Sequence, residues 1–154
     1  MKKVVFCGGC FWGVQAYFNT INGVLSTEVG YANGNTENPT YEDVCKDNTG
    51  YAEACYIEYD EKELKLEKLI EAYWRVVDPT IINRQGHDIG TQYRTGIYYM
   101  DDNDLKNILR SKEKEQRKYE KPIVTEILPL RNFYKAEEYN QRRTLKHISE
   151  PTRP

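Results

Sequence analysis

Cys10 is the residue whose setting points most directly to chemistry. It follows a short apolar run, Val4-Val5-Phe6-Cys7, then two glycines, and it opens a helical pattern. A sulfur at the first turn of a helix faces unpaired backbone N–H groups and the positive dipole end, which favour an anion. That setting predicts a depressed thiol pKa and a larger thiolate fraction, as a nucleophile needs. Gly8-Gly9 lets the chain turn sharply and leaves the sulfur approachable. The competing reading is a small buried hydrophobe, the ordinary fate of a free cysteine. Cys7 and Cys10 also form Cys-x-x-Cys, which admits a thiol–disulfide oxidoreductase. In that motif both cysteines lie at the first helical turn, whereas here Cys7 falls back on a strand. A structural zinc domain would need a second short knuckle, and Cys45 and Cys55 are separated by nine residues.

The elements that must position these groups follow from periodicity. Val4 to Cys7 reads as a short buried strand. Phe11, Val14, Phe18 and Ile21 recur at helical spacing, with Asn22-Gly23 closing that helix. Val24 to Tyr31 reads as a strand ending in the turn Ala32-Asn33-Gly34. Asn35 to Gly50 is polar, a loop with one helical turn near Tyr41 to Val44. A further strand runs from about Tyr51 to Tyr59. Leu66, Leu69, Ile70, Tyr73, Trp74 and Val77 mark a helix burying one face, stopped at Asp78-Pro79. After an irregular stretch from Thr80 to Arg94 come a strand at Thr95 to Tyr99, a helix from Leu105, and a final strand at Ile123 to Leu128. This order predicts an α+β two-layer sandwich, a mixed sheet with helices on one face, of the ferredoxin-like split βαβ type.

The chain has 154 residues, 22 Lys+Arg and 24 Asp+Glu, a formal charge of −2. Its length suits a single domain spanning 1–154, with about 141–154 as a C-terminal tail that lacks cysteine. Near-neutrality excludes nucleic-acid binding driven by global charge. Ten acidic and two basic side chains lie between Glu28 and Glu63, and seven basic and three acidic between Lys106 and Lys121. Such runs are usually solvated faces. No apolar stretch approaches the roughly 20 residues that span a bilayer. The opening Met1-Lys2-Lys3 resembles an export signal, but Gly8-Gly9 breaks its apolar run too early. A cytoplasmic monomer with reduced thiols, no bound metal and no membrane attachment is the expectation.

The run Gly9-Cys10-Phe11-Trp12-Gly13 resembles the signature of the methionine sulfoxide reductase A family. The resemblance continues through Val29-Gly30-Tyr31-Ala32, Asn38-Pro39-Thr40-Tyr41, Thr49-Gly50-Tyr51-Ala52-Glu53-Ala54 and Asp78-Pro79-Thr80. It returns at Asn83-Arg84-Gln85-Gly86-His87-Asp88 and Gly90-Thr91-Gln92-Tyr93-Arg94. The blocks keep the family's order and cover roughly residues 3–140. The resemblance implies thiol-dependent reduction of the S epimer of methionine sulfoxide, free and in proteins. Cys10 then matches the nucleophile that becomes a sulfenic acid, and Glu53 the acid that protonates the sulfoxide oxygen. Tyr41 and Tyr93 match the tyrosines that hydrogen-bond that oxygen. Phe11 and Trp12 match the wall that holds the methyl group, and Asp88 an acidic residue beside the substrate. Desolvation by aromatic surface should raise the pKa of Glu53.

Many family members recycle the sulfenic acid with a cysteine on a glycine-rich C-terminal tail, and no cysteine follows Cys55 here. Cys7, Cys45 and Cys55 are the candidate resolving thiols. Cys45 lies after Tyr41, and Cys55 shares a strand face with Glu53. The other route is a one-cysteine cycle with no bound cofactor, in which an external thiol attacks Cys10 directly. That thiol would come from a thioredoxin- or glutaredoxin-type protein, or from dithiothreitol in an assay. His87 stands where family members often have asparagine, and its pKa of about 6.5 could add a pH dependence.

Overall fold

The structure, a computed structural model, describes residues 1–46 and 48–137. The tail expected at about 141–154 lies outside them. The described elements are β1 (Lys2–Cys7), α1 (Phe11–Phe18), β2 (Val24–Ala32), α2 (Tyr41–Cys45), β3 (Ala52–Tyr59), α3 (Leu66–Val76), β4 (Arg84–Gln85), β5 (Asp88–Ile89), β6 (Gly96–Tyr99), α4 (Leu105–Gln116), β7 (Glu126–Pro129) and β8 (Phe133–Lys135). Short 3-10 turns cover Thr91–Tyr93 and Asp102–Asp104.

Six strands form one mixed sheet in the order β7-β6-β1-β3-β2-β8, with β4 and β5 as a separate hairpin. Only β6 and β7 run parallel; the other neighbours in the large sheet are antiparallel. β1 is central, and its residues Val4 to Cys7 are fully buried, which explains an apolar run without alternation. Val4 and Phe6 face the helices together with Cys55, Ile57 and Ile97, and Val14, Phe18, Leu69, Ile70, Tyr73 and Ile108 cover them. Val5 and Cys7 face the other way, against Ala54, Tyr98, Leu130 and Phe133. Each large apolar side chain buried here contributes roughly 1.5–3 kcal/mol.

The α+β class and the mixed sheet agree with the expectation, and the differences lie at element ends and in three short strands the sequence reading lacks. α1 stops at Phe18 rather than at Asn22-Gly23. Thr20 and Ile21 turn their N–H groups to the carbonyls of Tyr17 and Phe18 three residues back, at 3.1 Å each, tightening the last turn out of α geometry. Ile21 still packs on the core. The strand expected from Ile123 begins only at Glu126, because the Val124 N–H donates to the Pro79 carbonyl at 2.7 Å instead of joining the ladder. Nor is that strand the last: β8 pairs with the outer edge of β2. The stretch from Thr80 to Arg94, expected to be irregular, contains the β4–β5 hairpin and a 3-10 turn.

Candidate active site

The turn that carries Cys10 is fixed from three sides. The Tyr73 hydroxyl donates to the Cys7 carbonyl at 2.5 Å and accepts the Gly96 N–H at 3.0 Å, tying the end of β1 to α3 and β6. A Cβ at Gly8 would stand 2.5 Å from the Val77 side chain, so that peptide lies flush against the residue that follows α3. Gly9 has φ +76°, which glycine adopts without strain, and its N–H donates to the Tyr93 carbonyl at 3.1 Å. Cys10 is therefore delivered as the N-cap of α1, half-buried, with extended dihedrals of −67° and 126°.

Its thiol pKa is raised, not depressed, which corrects the expectation drawn from the helix terminus. Burial is the largest cause, and the negative charge of Glu53 adds to it. The N–H groups of Trp12 and Gly13 stabilise the thiolate but do not outweigh these two.

Glu53 lies on β3 opposite Tyr31 of β2, on the sheet face that packs against α1. It is 1% exposed. Its Oε1 accepts the Phe11 N–H at 3.1 Å, so the carboxyl touches the residue next to Cys10. Its Oε2 is buried and has no partner among the described residues. Burial pushes the carboxyl from its ordinary 4.5 up to about 8; the Phe11 N–H opposes this and the charge of Asp88 assists it. At neutral pH Glu53 therefore carries a proton and can donate it.

Tyr41 opens α2, whose start is held by a capping box. Thr40 Oγ1 accepts the Asp43 N–H at 3.1 Å, and Asp43 Oδ2 accepts the Thr40 N–H at 3.0 Å. Tyr93 closes the 3-10 turn that follows Gly90. The Tyr41 phenol lies close enough to the Tyr93 phenol and the Cys45 thiol to favour the ionised form of each. Burial raises both phenol pKa values, that of Tyr93 to about 12, so both remain protonated donors. Asp88 opens β5, and its charge is felt at Glu53, Cys10 and Tyr93. Phe11 is buried against Val29, Tyr31 and Val44, and half-buried Trp12 stands beside it with ring centroids 5.7 Å apart.

Seven residues singled out from the sequence thus converge on one end of α1. The other thiols are dispersed. Cys7 is fully buried on the opposite sheet face, with burial holding its thiol protonated, and Cys55 is buried in the core beneath the helices. Cys45 is exposed at the end of α2 rather than in a loop. A redox pair of Cys7 with Cys10 is disfavoured, since the sheet lies between their side-chain environments. Among the described residues no group of three or more ligating side chains could hold a metal ion. His87 is exposed at the tip of the β4–β5 hairpin.

Sequence reasoning missed the partners behind these groups. Glu137 accepts the Tyr31 hydroxyl and the Tyr41 N–H, each at 3.1 Å, bridging β2 to the start of α2. It lies 96 positions from Tyr41, and no local pattern marks it. Arg94 adjoins Tyr93 in the same sequence block, and that adjacency was the available signal.

A thiol beside a neutral carboxyl and two phenols suits a reaction in which sulfur takes up an oxygen that must be protonated as it leaves its donor. Such a protein is a thiol-dependent oxidoreductase. The family model described as peptide methionine sulfoxide reductase matches residues 2–152. Peptide methionine sulfoxide reductase MsrA of Clostridium acetobutylicum is 80% identical over 142 residues, 92% of this chain and 88% of that protein. Mxr1 from Saccharomyces cerevisiae in reduced form superposes with a TM-score of 0.87 at 37% identity, covering 99% of this chain and 86% of the yeast chain. Mxr1 in complex with Trx2 gives 0.66 at 29% identity, over 92% and 84%. The chain belongs to the peptide methionine sulfoxide reductase family, and its activity is thiol-dependent reduction of methionine sulfoxide.

Proposed function

We propose that this protein reduces the S epimer of methionine sulfoxide, protein-bound and free, with Cys10 as nucleophile and Glu53 as acid. The observation that carries this reading is the buried carboxyl of Glu53, held on the Phe11 N–H beside Cys10, with its pKa pushed up to about 8. Phe11 and Trp12 supply the apolar wall for the substrate methyl, Tyr41 and Tyr93 donate to the sulfoxide oxygen, and Asp88 supports the polar side of the pocket. The Cys10 sulfur attacks the substrate sulfur while Glu53 protonates the oxygen. Oxygen passes from one sulfur to the other, so that thiol plus sulfoxide become sulfenic acid plus thioether. The acid also serves the nucleophile. While Glu53 keeps its proton, the negative charge that opposes the Cys10 thiolate is absent.

Recycling uses an external thiol in a one-cysteine cycle: the first thiol displaces water from the sulfenic acid to form a mixed disulfide, and a second releases Cys10. Burial of Cys7 and Cys55 supports this route over an internal one, and exposed Cys45 is the remaining internal candidate. The complex of yeast Mxr1 with Trx2 supports a thioredoxin-type reductant; a glutaredoxin-type protein is the alternative donor. We place the enzyme in the cytoplasm as a monomeric single domain over 1–154. Among the described residues no helix is long and apolar enough to cross a membrane. The strand order β6-β1-β3-β2, with α1 and α3 as crossovers, supports the split βαβ reading.

The test uses purified protein, separate S and R epimers of a methionine sulfoxide peptide, and dithiothreitol. Turnover of the S epimer alone, lost in Cys10→Ser, is the expected result. R-epimer turnover, or activity surviving Cys10→Ser, would refute the assignment.

A further inference from the structure

The catalytic side chains come from segments far apart in sequence, and one guanidinium holds those segments together. Arg94 Nη2 donates to the Gly50 carbonyl at 2.8 Å, three residues before Glu53. Its Nη1 donates to the Thr91 carbonyl at 2.9 Å, at the start of the turn that carries Tyr93. Its Nε donates to Glu126 Oε1 at 2.8 Å, on β7, and the Tyr98 hydroxyl donates to that same oxygen at 2.6 Å. The carbonyl of Tyr93, the residue just before Arg94, holds the Gly9 N–H beside Cys10. Gly50 has φ +78°, and a side chain there would stand 2.5 Å from Asn35 Nδ2, so this stretch also requires glycine.

We propose that Arg94 is a positioning residue for sulfoxide reduction, its planar fork setting the spacing of Glu53, Tyr93 and the Cys10 turn. The inference rests on the roles assigned above to those three residues. Arginine suits this task and lysine does not. A guanidinium aims several donors in fixed directions, so three acceptors on three segments are held in a fixed relation, whereas an ammonium is a point charge on a flexible stem. The Glu126 carboxylate neutralises the half-buried cation, and Tyr98 orients that carboxylate from β6. The fork's donors reach Gly50, Thr91 and Glu126, which hold the polar side of the site, so the loss falls on the chemical step more than on binding. Misplacement of reacting groups by about 1 Å costs on the order of 100-fold in rate.

The experiment measures kcat and KM for an S-sulfoxide peptide in wild type, Arg94→Lys, Glu126→Gln, Glu53→Gln and the Arg94→Lys/Glu53→Gln pair, with thermal unfolding of each. Arg94→Lys should lower kcat about 10- to 100-fold with KM changed less than about twofold. Its cost should shrink at least fivefold in the Glu53→Gln background, where there is no acid to misplace. Arg94→Lys that folds with wild-type kcat, or whose loss is undiminished beside Glu53→Gln, overturns the proposal. If Arg94→Lys fails to fold, Glu126→Gln decides: it removes the charge that anchors the fork to β7 and should lower kcat with KM unchanged, while a wild-type kcat overturns the proposal. Full activity in Glu53→Gln itself would instead refute the acid assignment, which separates the two failures.

Discussion

Glutamine at position 53 keeps the shape of the side chain and removes its titration, so it isolates what burial does to the carboxyl. In the folded protein that pKa rises from 4.5 to about 8. Between these values the native state holds a proton that the unfolded chain has released, so stability falls as pH rises through the window. At roughly 1.4 kcal/mol per pH unit the gap amounts to about 5 kcal/mol, of which about 4 kcal/mol is lost between pH 5 and pH 9. Glu53→Gln lacks this slope, while titrating groups remote from Glu53 are common to both proteins and cancel in the difference. At 2–4 °C per kcal/mol for a chain of this size, wild-type Tm should drop relative to Glu53→Gln by about 8–16 °C over that range. Thermal unfolding by circular dichroism at pH 5, 7 and 9, at constant ionic strength, measures it. The same variant should lose about 100- to 10,000-fold in the single-turnover rate of reduction, together with the fall in wild-type rate near pH 8. The Cys10 thiol should titrate at lower pH once the neighbouring charge is gone, read from the pH dependence of its alkylation. Parallel Tm–pH curves for the two proteins would refute the reasoning, because the carboxyl would then be ionised in both folded and unfolded states.

Three further outcomes follow from the geometry. Trp12→Ala removes half of the aromatic wall and should lower kcat/KM about 5- to 30-fold, mainly through KM, in steady-state assays. Tyr73→Phe leaves the Cys7 carbonyl and Gly96 N–H buried without their partner and should cost about 2–4 kcal/mol, seen as a lower urea midpoint with an unchanged slope. Gly9→Ala forces a side chain into φ +76° with its Cβ 3.0 Å from Gln85 Cβ. It should destabilise the protein by about 1–2 kcal/mol and lower kcat by displacing Cys10, measured by unfolding and turnover together.

The sequence by itself determined the main elements and pointed to the chemistry they could carry. The unbroken apolar run at Val4 to Cys7 required a strand covered on both faces. Gly8-Gly9 required a tight turn, and the spacing from Leu66 to Val77 required a helix with one buried face. The setting of Cys10 pointed to a nucleophile, and the resemblance carried by the ordered blocks supplied the groups proposed to act with it, while strand and helix periods and turn glycines are local properties of the chain. Element ends were less legible, since a hydrogen bond to a distant group sets the start of β7, from Val124 to Pro79, and β8 was not legible at all, because it forms by pairing with the edge of β2. The electrostatics were decided only by tertiary packing. A helix terminus alone predicts a more acidic Cys10, yet burial and Glu53, 43 positions away, reverse the direction. Glu53 could be an acid only once the sheet had turned it inward beneath Phe11. Arg94 and Glu137 became visible only when the segments they join, 44 and 96 positions apart, had met. A pKa depends on solvent exclusion and on charges within a few ångströms, and a clamp on its acceptors; neither quantity exists until the chain has folded.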